Sequence, residues 1–380
     1  VNDVDVLIAG AGPVGLFLAG ELARRGHACA IVERNETPST HSKALAIMPR
    51  TLELFERARL CDAFLSEVNR VHGVRFVTPR GAAYVPFKNL PTAYPFVSIL
   101  PQWKTEALLA ARLRSAGVNI LYGHELLTFE QSETSVHAEV RSSTGQYELR
   151  ARYLVGCDGV HSTVREQARI TFSGRSYAEE ALLADIPIET TVPPDEARVY
   201  IDRGSTVTLF PMSACMRRIV VIAPRQQLPE MASQAWVQGR VEQAGMRGTV
   251  VGEPVWSSAF HVHRRVASRM RSGRVFLAGD AAHAHSPVGG QGMNVGFEDA
   301  AALAAVLSTV LQNAAALATL DRYEASRLPA ARAVVRGTDF LLRVLAHPNR
   351  VMCVGRELLA PYVIRIPSLR NRVVRRLLTA

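Results

Sequence analysis

Short apolar runs, each closed by glycine or an acid, set the rhythm of this chain. Val6-Leu7-Ile8-Ala9 has polar residues before it and Gly10 after it, which predicts a buried parallel strand. The segment from Val14 to Arg25 predicts a helix that stops at Gly26. Ala28 to Val32 predicts a second strand, ending at Glu33. Two later runs repeat the theme. Tyr153-Leu154-Val155-Gly156-Cys157 ends at Asp158-Gly159, and Arg274 to Ala278 ends at Gly279-Asp280. Between them, Ala197–Asp202, Thr206–Met212 and Arg218–Ala223 predict strands of one antiparallel sheet, with short loops, one carrying Gly204. A helix is predicted from near Gly290 through Asn294, Phe297 and Ala301. Ala300 to Leu320 carries no charge, which invites a membrane-spanning reading. The stretch is alanine-rich and interrupted by Ser308, Thr309, Gln312 and Asn313, so a buried helix explains it better.

Together these elements predict an α/β protein. A Rossmann-like dinucleotide domain, in pieces 1–70, 98–180 and 270–300, is interleaved with a mixed or antiparallel-sheet substrate domain in 71–97 and 181–268. Helices fill 301–380. No Gly/Ser-rich linker and no internal repeat divides the chain, which is why the domains read as interleaved.

The chemistry follows from what stands at the strand ends. In Gly10-Ala11-Gly12-Pro13-Val14-Gly15, Gly10 opens a tight turn, Gly12 lets the backbone approach a pyrophosphate, and Gly15 lets the helix pack on the strand. Glu33 stands where a carboxylate accepts hydrogen bonds from an adenosine ribose, and it disfavours a 2′-phosphate there. This fingerprint alone suits FAD or NAD. Asp158 and Asp280 each follow a buried strand, where an aspartate is as readily a turn cap. Asp280 also precedes the Gly-rich loop Pro287-Val288-Gly289-Gly290-Gln291-Gly292, so its carboxylate is placed to hold a ribityl hydroxyl. The amides and dipole of the following helix then face an electron-rich group. That dipole is worth roughly 1 to 2 kcal/mol, on the order of 20 to 45 mV for a two-electron couple.

These motifs, in this order, resemble the class A flavin-dependent aromatic hydroxylases, the group typified by para-hydroxybenzoate hydroxylase and the aromatic polyketide hydroxylases. Further stretches carry the likeness: Ser42 through Glu53, Leu100-Pro101-Gln102, Phe172-Ser173-Gly174, Ala184-Asp185, and Gly279 to Ala300. It spans about residues 4 to 335. The resemblance implies an FAD site built from Gly10, Gly12, Pro13, Gly15, Glu33, Arg34, Lys43, Gln102, Asp158, Asp280, Pro287, Gly290, Gly292, Met293 and Asn294. It implies reduction by NAD(P)H, with NADPH the commoner donor among the polyketide-type relatives, and oxygen transfer from a flavin C4a-hydroperoxide to a phenolic or polyketide-like ring. The flavin itself carries the catalysis, helped by movement of the loop at Pro287, Gly289 and Gly290. Tyr200, Phe210, Met212 and Trp256, with Phe260, are the candidate substrate contacts. His283 and His285 read as structural, and no general base is assigned. Lys43 stands where the family usually has arginine, which keeps the charge and loses the planar fork. The chain ends at Ala380, short of the thioredoxin-like domain that many polyketide hydroxylases carry, and it lacks the Trp-x-Trp-x-Ile-Pro stretch of the flavin halogenases.

Composition narrows the classes. The formal charge is +10, yet only three of the 44 basic residues are lysine. This charge draws in anionic cofactors. No basic block with interleaved aromatics appears, which argues against nucleic acid as partner. The basic stretch Arg365 to Arg376 reads as a solvated helix face before it reads as a membrane contact. Five scattered cysteines, with no CxxC, argue against disulfides and metal, and a cytoplasmic enzyme is the expectation. The same fold also serves epoxidation, Baeyer–Villiger oxidation, FAD-dependent reduction, or a non-enzymatic role of the GDP-dissociation-inhibitor type. Oligomeric state is left open.

Overall fold

The computed structural model describes residues 3–40, 42–202 and 205–346. Gly204 and the basic stretch Arg365–Arg376 lie outside the described residues.

The first strand, β1 (Asp3–Ala9), leads through the glycine turn into α1 (Pro13–Arg24) and on to β2 (Cys29–Glu33). β1 pairs in parallel with β2 on one side and with the strand Gly145–Gly156 on the other. The strand Val275–Leu277 extends the sheet in parallel beyond Gly145–Gly156, and Asn119–Tyr122 extends it beyond β2. The register aligns Val32, Ala9, Gly156 and Leu277 in one row. Glycine turn, Glu33, Asp158 and Asp280 therefore all leave the sheet along its carboxyl edge, which is where open α/β sheets bind ligands. Val6, Leu7 and Ile8 are fully buried, as their run predicts.

The strand expected at Tyr153–Cys157 is longer, Gly145–Gly156. Its outer half pairs antiparallel with Val136–Ser142 and is mostly open to solvent, so no apolar run marks it. The helix after the glycine loop runs Gly292–Gln312, then a 3₁₀ segment Ala314–Leu320 leads into a long helix, Asp321–Ala346. Gly292–Gln312 is long and apolar enough to cross a membrane, but 61% of its most apolar stretch is buried inside the fold. Phe297 on this helix meets Phe17 of α1 at 5.3 Å and Phe55 of the helix Pro49–Arg57 at 5.1 Å between ring centroids. These ring contacts pack the three helices together.

A second, nine-stranded sheet is built from segments interleaved along the chain with those of the first. The expected trio is present as Glu196–Asp202, Ser205–Pro211 and Met216–Pro224, paired antiparallel. Phe172–Glu189 and Trp256–Ala267 continue the sheet on one side. On the other side Gly73–Thr78 joins Glu196–Asp202 in parallel, which makes the sheet mixed. One face packs under the helix Gln234–Gln243 through Leu209, Ile219, Val221, Val237 and Val241. The opposite face packs Leu183-side residues, Trp256 and Phe260 against Val288 of the glycine loop. The roof and the carboxyl edge of the first sheet thus meet at that loop.

Candidate active site

Close approach of backbone explains two of the three fingerprint glycines. Gly10 sits at φ +103°, and a Cβ there would lie 2.5 Å from the Cys157 carbonyl oxygen. A Cβ on Gly15 would lie 2.1 Å from the Gly10 carbonyl oxygen. Gly12 differs, because a Cβ there would meet nothing within 4 Å. Its side faces open space at the start of α1, where Pro13 occupies the first helical position and the helix amides are unbonded. Glu33 is held ready beside this turn. Its Oε2 accepts from the Ala11 N–H at 2.9 Å, and its Oε1 accepts from the Asn35 N–H at 3.0 Å and from Asn35 Nδ2 at 2.6 Å. Arg34 and Lys43 are exposed.

Asp158 presents a second opening. Its Oδ2 accepts from the Val164 N–H at 3.1 Å, whereas its Oδ1 is buried and has no hydrogen-bond partner. Burial pushes this carboxyl above the usual range, against the pull of the neighbouring Ser162 hydroxyl and the backbone N–H groups at the start of the helix Thr163–Gln167. Asp280 is exposed, follows Gly279 at φ +62°, and makes no hydrogen bond to the described residues. In the loop beyond it, Gly289 and Gly290 both take positive φ, and the Gly290 N–H donates to the Pro287 carbonyl at 3.0 Å.

The two histidines of this loop are locked differently. His283 Nε2 lies 2.6 Å from Asp299 Oδ2, and both side chains are fully buried. Asp299 also accepts from the Gly279 N–H at 3.2 Å and from Arg327 Nε at 2.7 Å. Burial would raise the Asp299 pKa, but His283 and Arg327 overcome it and hold the carboxylate below its ordinary value. This network pins the turn at Gly279 and gives His283 a structural task. His285 donates Nδ1–H to the Ser286 carbonyl at 3.0 Å. Burial, then His283, lowers its pKa and keeps it neutral.

The roof above the loop carries one charged pair in an apolar wall. Phe210, Arg218, Asp185 and Trp256 form a single cross-strand row. Arg218 is fully buried and donates Nε and Nη2 to the two Asp185 oxygens at 2.6 and 2.7 Å. Its guanidinium stands 5.2 Å from the centre of the Trp256 ring, and its Nη1 is buried with no partner. Phe210 and Met212 pack with Leu45, Ala46 and Met48. Tyr200 does not share this face. It pairs with Val207, one step out of phase with Phe210, and is buried under the helix Gln234–Gln243. Alternation along a strand decides the matter, and Tyr200 is core of the far side.

A family model described as "FAD binding domain" matches residues 3–338. The chain belongs to this FAD-binding family. The 6-methylpretetramide 4-monooxygenase of Streptomyces rimosus is 36% identical over 98% of this chain and 68% of its own length. Pentachlorophenol 4-monooxygenase of Sphingobium chlorophenolicum is 32% identical over 90% of this chain and 65% of its own. Among solved structures, the anhydrotetracycline hydroxylase OxyS of Streptomyces rimosus superposes with a TM-score of 0.84 at 32% identity, covering 99% of this chain and 76% of that one. The chain thus spans about two thirds of the length of such relatives. It is an FAD-dependent oxidoreductase of the aromatic-monooxygenase kind.

The flavoprotein's own residues fit the cofactor. Gly12 opens onto free space, Asp158 keeps an unpaired buried oxygen, and Asp280 makes no hydrogen bond among the described residues. Such acceptors suit the hydroxyl donors of an FAD. Two expected contacts are modified. Asn294 Oδ1 accepts from the Met48 N–H and Thr51 Oγ1, and its Nδ2 donates to the Ala46 and Gly290 carbonyls. With its amide satisfied, only the main chain of Asn294 is free for cofactor. Gln102 likewise bridges the Ala44 N–H and Glu106, so its side chain orders the 42–44 segment. Replacing Asp280 with alanine is expected to leave a folded protein with FAD affinity weakened about 10- to 100-fold, the worth of a charge-assisted hydrogen bond. Flavin fluorescence titration of the apoprotein checks it, and unchanged occupancy refutes the role.

Proposed function

We propose that this monooxygenase hydroxylates a phenolic, polycyclic substrate of the polyketide kind, held between the flavin and the sheet face that carries Arg218. The pieces around the first sheet form the FAD domain in this reading, and the second sheet forms the substrate domain. The observation that carries it is the unpaired Nη1 of a fully buried arginine in an otherwise apolar wall. A buried donor without a partner costs about 1–3 kcal/mol, which a ligand oxygen returns. A phenol or phenolate oxygen is such an acceptor, and the fused rings match Phe210, Met212, Trp256 and Phe260.

Bound FAD, reduced by NAD(P)H, supplies the activated oxygen. In balance, ArH, O₂, NAD(P)H and H⁺ become ArOH, H₂O and NAD(P)⁺. Arg218 orients the ring and stabilises negative charge on its oxygen while Asp185 holds the guanidinium in place. Val288 and the aromatic residues keep water from the reacting carbon. Gly289 and Gly290 give the loop the backbone freedom that cofactor movement requires. The described cysteines are all free, which suits a reducing cytoplasm.

The test is a panel of simple phenols and polycyclic phenols, scored for stimulated NAD(P)H oxidation, product mass and peroxide. Polycyclic phenols are expected to stimulate oxidation and to gain one oxygen. Stimulation by simple phenols alone, or oxidation that yields only peroxide with every polycycle, would overturn the substrate reading.

A further inference from the structure

Glu106 is a carboxyl group buried without a counter-charge. It lies on the helix Gln102–Ser115 and is 8% exposed. Its hydrogen bond comes from Gln102 Nε2 at 2.8 Å, and no ion pair reaches it among the described residues. The sense of that bond is fixed from the other end. Gln102 Oε1 faces the Ala44 N–H, so the amide nitrogen must be the end that meets Glu106. One Glu106 oxygen accepts this bond, and the second remains for a proton.

The surroundings are acidic. Glu33, at the end of β2, acts on Glu106 as a like charge. Tyr122, which pairs with Glu33 across the sheet, is raised by burial and then by Glu106 and Glu33, while Arg114 pulls it the other way. Burial pushes Glu106 up to about 7, with the Gln102 bond opposing and Glu33 adding. The strand Asn119–Tyr122 pairs with the end of β2 and packs on the helix that carries Glu106, and FAD would bring a doubly anionic pyrophosphate to the carboxyl edge beside Glu33.

We propose that FAD seats preferentially on the protein with Glu106 neutral, so that loading of the anionic dinucleotide takes up a proton. The inference rests on placing the adenosine end beside Glu33. Gln102 couples the two events, because it ties Glu106 to the 42–44 segment that borders the site. The sign follows from linkage. Anionic FAD favours the protonated form and raises the Glu106 pKa further, so affinity is full at low pH and falls as pH rises through the free-protein value. A one-unit separation between free and bound values corresponds to about tenfold in affinity. The pyrophosphate diester and flavin N3 do not titrate in this window.

The experiment is FAD titration of apoprotein between pH 6 and 8.5, followed by flavin fluorescence, with calorimetry near neutrality in two buffers of different ionisation enthalpy. The wild type is expected to weaken about tenfold across the range and to take up a sizeable fraction of a proton. Glu106→Gln, a permanent neutral mimic, is expected to bind with no proton uptake and no pH slope. A flat wild-type profile, or an equal slope in Glu106→Gln, would overturn the proposal. A wild-type proton count of zero overturns the proposal even where the variant fails to fold, and Asp158, whose carboxyl burial also raises, is separated from Glu106 by the same titration of Asp158→Asn. FAD that binds at no pH would remove the dinucleotide site itself and the proposal with it.

Discussion

Arg218→Ala is expected to destabilise the protein by about 3–5 kcal/mol and to abolish productive hydroxylation. The size follows from what is left behind. Asp185 keeps only 13% of its side chain exposed and loses both guanidinium bonds. Trp256 loses the cation over its ring as well. A denaturant titration measures the first effect but does not separate folding from chemistry. The double replacement Arg218→Met with Asp185→Leu does, because removing both charges from an apolar site leaves no orphan. This double variant is expected to recover most of the stability, to bind FAD, and to oxidise NAD(P)H to peroxide in place of hydroxylated product. Wild-type coupling in the double variant would make Arg218 a structural residue only and would end its role in orienting substrate.

Arg218 also shows where reading from sequence stops. The carboxyl edge was legible because each of its parts has a local signature: a buried parallel run, a glycine turn, an acid at the next strand end. Order along the chain was enough to bring Gly10, Glu33, Asp158 and Asp280 to one row of strand ends. The roof has no such signature. Whether Tyr200 or Phe210 faces the loop depends on strand register, and register is a long-range property. Asp185 carries part of the family likeness, but Arg218 reads as an ordinary charge at the start of an apolar run, and only their pairing across two strands makes them a site. A signal was present in retrospect, since a charge on each of two adjacent apolar strands calls for a partner. Glu106 was hidden for a related reason. A glutamate in a helix with several arginines reads as solvated, and its burial comes from packing that no helical period reveals. Gln102 and Asn294 are FAD contacts only by what the family resemblance implies, yet their side-chain bonds go to protein, which a matching motif does not disclose.

The fingerprint glycines permit a sharper separation of folding from binding. Gly12→Ala is expected to give a protein that folds like wild type and does not hold FAD. The backbone at Gly12 has φ −70°, which any residue adopts, and its Cβ would meet no protein atom within 4 Å. The apoprotein should therefore lose no more than about 0.5 kcal/mol, the usual range for a substitution that touches nothing. The added methyl instead occupies the approach path of the pyrophosphate to the α1 amides, where close backbone contact is the reason for glycine. Loss of that contact is expected to cost at least about 2 kcal/mol of binding, near 30-fold. Gly15→Ala is the counterpart. Its Cβ collides with the Gly10 carbonyl at 2.1 Å and presses on Cys157 at 3.3 Å, so β1 and α1 must separate. Overpacking of this kind costs about 1–3 kcal/mol in the apoprotein itself. Thermal melts of both apoproteins, with FAD titrations alongside, distinguish the two glycines. If Gly12→Ala retains FAD at wild-type affinity, the open space beside it is not where the pyrophosphate lies, and the cofactor must cross the carboxyl edge by another path.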